Sequence, residues 1–483
     1  MRQTLHILGK DIRRLRYDII VTLALTAIFA WCAGHRSPRF DWQTARMNEV
    51  AELLEQLLPV AWWYLTARVI HGEQLPGDRQ FWVTRPYRWQ SLLGAKGLFI
   101  AVFVILPLLI SDCVVLRLQG FHPSDLLAGI AWYPLVFSVV FLLPVAALAC
   151  LTVNIAQMAL TFLAGIASLV ILALFGIRPP TIWFGSLDRI RLSLLFLVVL
   201  IGVLTIMVLQ YSSRRTGLSR ILAGATVGLA MMVGFFLPWT FAFALQSRLV
   251  NSRVDTTSIG VQFQPEHRLP ARAPEYTSAG IPIKLPIGFP GAPPGMTQIV
   301  DGMAGELVLP DGKPSEPLHM TAIEGMKDNR WYVMTAEPSL YERVKNTPLR
   351  MHLIVLLTLY GNPRTERIPL DGNSHRVPGI GVCATEPSIL EPEKFTTLHC
   401  LVPFRVPGRT LVQFDKGPQM TGYGEMLNSP WPTSIGISPV NKAYWRLPNQ
   451  DGATAFVFTT MQPLVHIRRE IDIPNVRLAD YAY

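Results

Sequence analysis

Two hydrophobic patterns divide the chain near Leu249. Before that point apolar residues run on for helical lengths, whereas beyond it they form short clusters separated by proline and glycine. A helix rises about 1.5 Å per residue, so crossing a hydrocarbon core of about 30 Å takes some 20 apolar residues, with every backbone group paired inside the helix. Residues 91–116, 126–150, 151–175, 192–211 and 221–245 meet that demand, and 18–33 is a shorter span that ends beside Trp31. The span at 53–70 is the weakest, because Glu52, Glu55, Gln56 and Pro59 interrupt its first half. The run from 126 to 175 is about twice the needed length, which predicts two helices joined by a very tight turn near Cys150 to Asn154.

Past Leu249 the period shortens to that of strands. Strands are expected at 305–309, 318–323, 331–335, 352–360, 396–404, 410–414, 453–459 and 464–471, a set that suits a β-sandwich. Turns at Asp311-Gly312, Asp371-Gly372 and Asp451-Gly452 each supply a residue that tolerates positive φ. The apolar run 352–359 is bounded by Pro348 and by Gly361-Asn362-Pro363, so it reads as a buried strand and not a helix. The prolines between Pro265 and Pro294 predict an extended connector. The expected architecture is therefore a polytopic α-helical membrane domain followed by an all-β, sandwich-like extracytoplasmic domain. Its segments are 1–16, a surface helix; 17–248, about seven spans; 249–295, the connector; and 296–483, the β domain.

Composition agrees with a membrane protein. Of the 483 residues 50% are hydrophobic and 16% charged, where a soluble domain carries about 25% charge. Residues 1–250 hold 21 Lys+Arg against 11 Asp+Glu, and 251–483 hold 22 of each, so the net charge of +10 belongs to the helical half. These cations lie between apolar stretches and form no basic face or tail, which argues against nucleic acid and for a topology signal. With the amino terminus in the cytoplasm, 13 basic residues fall on the inside and 8 on the outside. The β domain then lies outside, and it would fall inside only if 53–70 did not cross. No cleavable signal peptide is expected, since the charged start runs into an apolar stretch without a small-residue cleavage site.

Cys32, Cys113 and Cys150 sit in or beside spans as packing residues. Cys383 and Cys400 enclose 16 residues and read either as a disulfide, contributing roughly 3 kcal/mol in an oxidising compartment, or as free thiols on neighbouring strands. Motifs for chemistry are missing: the chain has no GxxxxGK[ST], HExxH, CxxC or GxSxG, and no two histidines fall at i, i+4. Neither an enzyme nor a cofactor or metal site is expected. His71, Glu73 and Asp78 read as ordinary loop polarity. Glu52 and Glu55 either line a polar pathway or lie just outside the membrane, and Asp112 either pairs with Arg117 or reaches interfacial water.

Two features of the helical half carry more. Leu5, Leu8, Ile12 and Leu15 recur at helical spacing among Lys10, Arg13, Arg14 and Arg16, an amphipathic helix suited to the cytoplasmic face. The loop from Gly77 to Trp89 mixes Asp78, Arg79, Arg85 and Arg88 with Phe81, Trp82 and Tyr87, a composition suited to lipid headgroups or to a docking protein.

Lys10-Asp11-Ile12-Arg13-Arg14, two spans, then Phe81-Trp82-Val83-Thr84-Arg85-Pro86 and Leu92-Leu93-Gly94-Ala95-Lys96 together resemble the permease subunits of type-2 ABC exporters, over roughly 1–211. The resemblance implies one half of a transmembrane pathway in a homo- or heterodimer of membrane subunits at a bacterial inner membrane. It also implies a separate ATPase subunit, which holds the ATP and touches the loop at 72–90, with Asp78, Arg79, Trp82, Arg85 and Arg88 as the coupling residues. The chain departs from the usual six spans by adding 221–245 and the β domain, and a membrane-anchored binding or assembly protein is the alternative reading.

Overall fold

The computed structural model describes residues 2–37, 42–72, 88–174, 186–249, 254–269, 280–315, 318–326, 329–388, 391–403, 408–416, 424–428, 437–449 and 451–482. Helix α1 (Arg2–Arg14) stops at Leu15 and passes into α2 (Arg16–Gly34). There follow α3 (Trp42–His71), α4 (Trp89–Leu118), α5 (Pro123–Leu151), α6 (Ile155–Leu174), α7 (Ser186–Ser213) and α8 (Thr216–Phe236). Of these, α2, α4, α5, α7 and α8 are long and apolar enough to cross a membrane. This is a membrane protein. Helix α3, with its three glutamates and Pro59, does not reach that hydropathy, and α6 is an apolar helix of 20 residues.

Proline shapes the long helices. The turns Ala101–Ile105 in α4 and Ser138–Leu142 in α5 are π-helical, and each ends just before a Leu-Pro pair, at Pro107 and Pro144. A proline ring collides with the carbonyl four residues back and donates no N–H, and a widened turn absorbs both defects without ending the helix. The tight turn expected near Cys150 is present between α5 and α6. There Asn154 Oδ1 accepts the Gln157 N–H at 2.8 Å while Gln157 Oε1 accepts the Val153 N–H at 2.8 Å, a reciprocal cap.

The last expected span, 221–245, is corrected at both ends. Its helix begins at Thr216 and stops at Phe236, because Pro238 cannot continue it; Trp239–Leu249 is a separate helix, α9. The ring of Phe243 on α9 meets His466 of the β domain edge-on, 6.5 Å between centroids. Two glycines set close helix crossings. A Cβ at Gly34 would meet Leu118 at 2.4 Å, and one at Gly202 would meet Thr226 at 2.3 Å.

The β half holds thirteen strands among the described residues, in two lobes and not one sandwich. A nine-stranded sheet runs, in spatial order, β1 (Gln262–Phe263), β2 (Ile281–Gly288), β5 (Asn329–Ala336), β4 (Leu318–Met326), β3 (Thr297–Val308), β6 (Leu349–Pro369), β13 (Ala455–Val476), β10 (Gly408–Phe414) and β11 (Gly424–Asn428). A four-stranded sheet runs β12 (Val440–Pro448), β9 (Phe395–Pro403), β8 (Gly381–Pro387) and β7 (Ser374–Val377), and every adjacent pair is antiparallel. Strands β6 (Leu349–Pro369) and β13 (Ala455–Val476) pair along nearly their whole length and belong to both lobes. The first lobe buries Ile283, Leu285, Met334, Leu353 and Leu357 beneath the short helix α10 (Pro338–Val344). The second packs Val412, Phe414, Phe456 and Phe458 of the large sheet against Leu398, Trp445 and Leu447 of the small one.

Residues 281–288, inside the stretch read as a connector, form strand β2 (Ile281–Gly288), paired with β5 (Asn329–Ala336). Its prolines, Pro282 and Pro286, alternate with residues bonded to β5 and share the edge where the Lys284 N–H donates to Tyr481. The strand therefore loses no bond to β5 through its missing donors.

Asp415, just past β10 (Gly408–Phe414), closes the turn that leads into β13. It accepts from the Thr454 hydroxyl at 2.6 Å, the Thr454 and Ala455 N–H groups at 2.9 and 3.2 Å, and Arg367 at 2.6 Å. The Thr454 hydroxyl first, then those N–H groups and Arg367, hold the carboxyl well below its ordinary value of 3.8. A carboxylate lowered on folding stabilises the fold above its unfolded value, and that contribution is lost as pH falls through the folded one. Asp415→Asn is therefore expected to lower the melting temperature at neutral pH, with the deficit closing as the solution is acidified below the ordinary value. Thermal unfolding of both proteins followed by tryptophan fluorescence at several pH values checks this, and a deficit independent of pH contradicts it.

Candidate functional site

The amphipathic start folds as expected, but its inward face is rotated. Ile7, Asp11 and Leu15 are buried at spacings of four, while Leu5 is 54% exposed. An acidic residue can face inward because Lys96, in the second turn of α4, meets it: Lys96 Nζ lies 2.7 Å from Asp11 Oδ2, with both side chains almost fully buried. Lys96 sits on the buried face of α4 with Leu92, Ala95 and Phe99. Each charge alone would cost several kcal/mol to bury, and the pair offsets that cost only while both members are present.

This contact is one of two that fasten α1 to the segment expected to contact an ATPase. Arg14 Nη1 donates to the Gly72 carbonyl at 3.1 Å, just past the end of α3. Asp11 holds Lys96, one turn inside α4. The two flanks of 73–87 are thus held by the same helix, three residues apart along it. Of the expected coupling residues, Asp78, Arg79, Trp82 and Arg85 lie outside the described residues. Arg88 is exposed at the start of α4, in extended backbone conformation, and its carbonyl accepts the Ser91 and Leu92 N–H groups.

The same end of the bundle gathers Asp18 against Arg68 at 3.6 Å, His71 against Thr152 at 3.2 Å, and Arg220 donating to the Leu151 carbonyl at 3.3 Å. The opposite end carries the β domain. Arg36, just past α2, pairs with Glu55 of α3 at 2.7 Å and reaches Ser438 at 3.4 Å. Glu52 pairs with Lys442 at 3.4 Å, and Arg376 stacks over the Phe121 ring at 5.6 Å. Gln119 donates to the carbonyls of Ala33, Gly34 and Arg36, capping α2. The two glutamates thus serve the junction with the β domain.

Asp112 does neither thing expected of it. It has no exposed surface, and Arg117 turns to His122 Nδ1 at 3.4 Å instead. A second buried cluster, in the β domain, left no trace in the sequence pattern. Thr358 on β6 contacts Asp301 of β3 (Thr297–Val308) and lies 2.6 Å from His466 Nδ1 on β13. Asp301 is the extra residue of a bulge between Val300 and Gly302, which turns its carboxylate toward the other two. Carboxylate and hydroxyl approach the same ring nitrogen, so the trio is not a hydrolytic relay, which needs them on opposite nitrogens. Cys383 and Cys400 face each other across β8 (Gly381–Pro387) and β9 (Phe395–Pro403) and are joined by a disulfide.

No family model matches the chain, and a search of curated proteins finds no match.

Lys96→Met leaves Asp11 buried and uncompensated, which is expected to cost about 3–5 kcal/mol. Lys96→Met combined with Asp11→Leu should recover most of that loss. Thermal unfolding of the full chain in detergent measures both, and a double variant as unstable as the single one would show that the charge pairing is not what matters.

Proposed function

We propose that the chain is the transmembrane subunit of an ABC-type transporter, an exporter that works with a separate ATPase subunit docked on residues 72–90. The observation that carries this reading is the fastening of both flanks of that segment to α1, through Arg14 to Gly72 and through Asp11 to Lys96. A displacement of 72–90 by nucleotide-driven closure is passed to α1, α3 and α4 together, as a rigid-body tilt. ATP stays on the partner. The membrane subunit works as a homo- or heterodimer, and the β domain caps the pathway or contacts cargo.

In this reading the α1 end faces the cytoplasm of a bacterial cell and the β domain lies beyond the inner membrane. The excess of basic residues on the α1 side supports that orientation. So does the disulfide, which suits an oxidising compartment.

A tagged chain is expected to copurify with an ATP-binding subunit. Arg79→Glu with Arg85→Glu should lower that yield roughly tenfold, the loss of about 1.4 kcal/mol of contact. If no ATPase is recovered, the second reading, a membrane-anchored β domain that makes its own contacts, takes over. Orientation has a separate check: protease added to intact spheroplasts should digest the chain beyond Asn251, and full protection of that region would reverse the topology.

A further inference from the structure

Asp112 is the one membrane-half carboxylate among the described residues that is fully buried with neither oxygen hydrogen-bonded. Its neighbour Ser111 is likewise buried with an unpartnered hydroxyl. Tyr133 on α5 lies within electrostatic range of both Asp112 and Glu55. Glu55 on α3 is matched by Arg36 at the end of α2, and among the described residues Asp112 has no such counterpart.

A lone carboxylate in an apolar interior costs several kcal/mol even after relaxation, so the group is stable there only with a proton or a cation on it. Hard cations take about six oxygen ligands. Among the described residues no cluster of three or more His, Cys, Asp or Glu is placed to hold a metal. A proton needs one oxygen.

Glu55 belongs to a polar stripe on α3. Asn48 Oδ1, Trp62 Nε1 and Thr66 Oγ1 on α3 are buried without hydrogen-bond partners among the described residues. With Glu55 they fall at spacings of seven, seven and four, which at about 100° per residue is one stripe of the helix. The Trp62 ring packs edge-on against Phe137, one turn along α5 from Tyr133, at 5.4 Å, so the stripe faces α5. Polar atoms in such a row are the ones that a file of water bonds.

We propose that Asp112 is a proton-binding site inside the membrane half. A proton from water binds one carboxylate oxygen to give the neutral acid and returns to water when it leaves. The inference rests on the bundle lying in a membrane and holds whether or not an ATPase drives the chain.

Dicyclohexylcarbodiimide, which attacks protonated carboxyl groups in apolar surroundings, tests it on the unaltered full-length protein in nanodiscs. Peptide mass spectrometry is expected to find the adduct on Asp112, with labelling lost as pH is raised. Asp112→Asn should abolish that adduct and Asp125→Asn, on the exposed first turn of α5, should leave it intact. Two results overturn the proposal: an Asp112 that stays unlabelled from acid to alkaline pH, or labelling that sodium suppresses and pH does not, which would mark a cation site.

Discussion

The membrane half is organised by the pairing of Asp11 with Lys96. In a low-dielectric interior neither charge is tolerated alone, so the pair fixes which face of α1 turns inward and how close α1 lies to α4. That rotation sets Leu5 outward and brings Arg14, three residues on, to the Gly72 carbonyl. One electrostatic requirement therefore determines the lie of a surface helix, the end of α3 and the start of α4, and with them both flanks of 73–87.

At the other end polar contacts and an apolar one work together. Arg36 joins Glu55 to Ser438, and Leu401, Ile437 and Val440 of the β domain belong to the same apolar core as the helices. The second lobe is thus seated on the bundle. The first lobe is held differently, through α9, whose Ala242 and Phe243 pack on Leu356. Because β6 and β13 run through both lobes, a tilt of the bundle that moves one lobe is carried along those strands to the other. Pro238 matters here, since ending α8 frees the next eleven residues to leave the membrane direction and lie on the sheet.

The apolar runs marked the five helices long and apolar enough to cross a membrane, and the strand periods marked most of the β half, because both arise from local composition. The features that the pattern hid are decided across distance. Lys96 lies 85 positions from Asp11, and nothing local ties the two. Strand β2 was masked by its own prolines, which are harmless only because of which edge they face. The eight-stranded sandwich missed that two strands are shared, since pairing register is not written in either strand alone. The expectation that Asp112 meets Arg117 failed for a geometric reason: residues five apart on a helix sit about 140° from each other around the axis.

Three buried carboxylates show three ways of meeting the same cost. Asp11 has an opposite charge, and Asp301 has Thr358 and His466 beside it, placed there by a bulge that adds one residue to a strand. Asp112 has neither among the described residues, yet its aim has a similar origin. The π turn at Ala101–Ile105 adds one residue to α4 ahead of it, and each added residue rotates the remainder of the helix by about 100°. Without that turn Asp112 would sit on a different face of the helix. Pro107 lies two residues past that turn, and the widened turn accommodates its ring and its missing N–H.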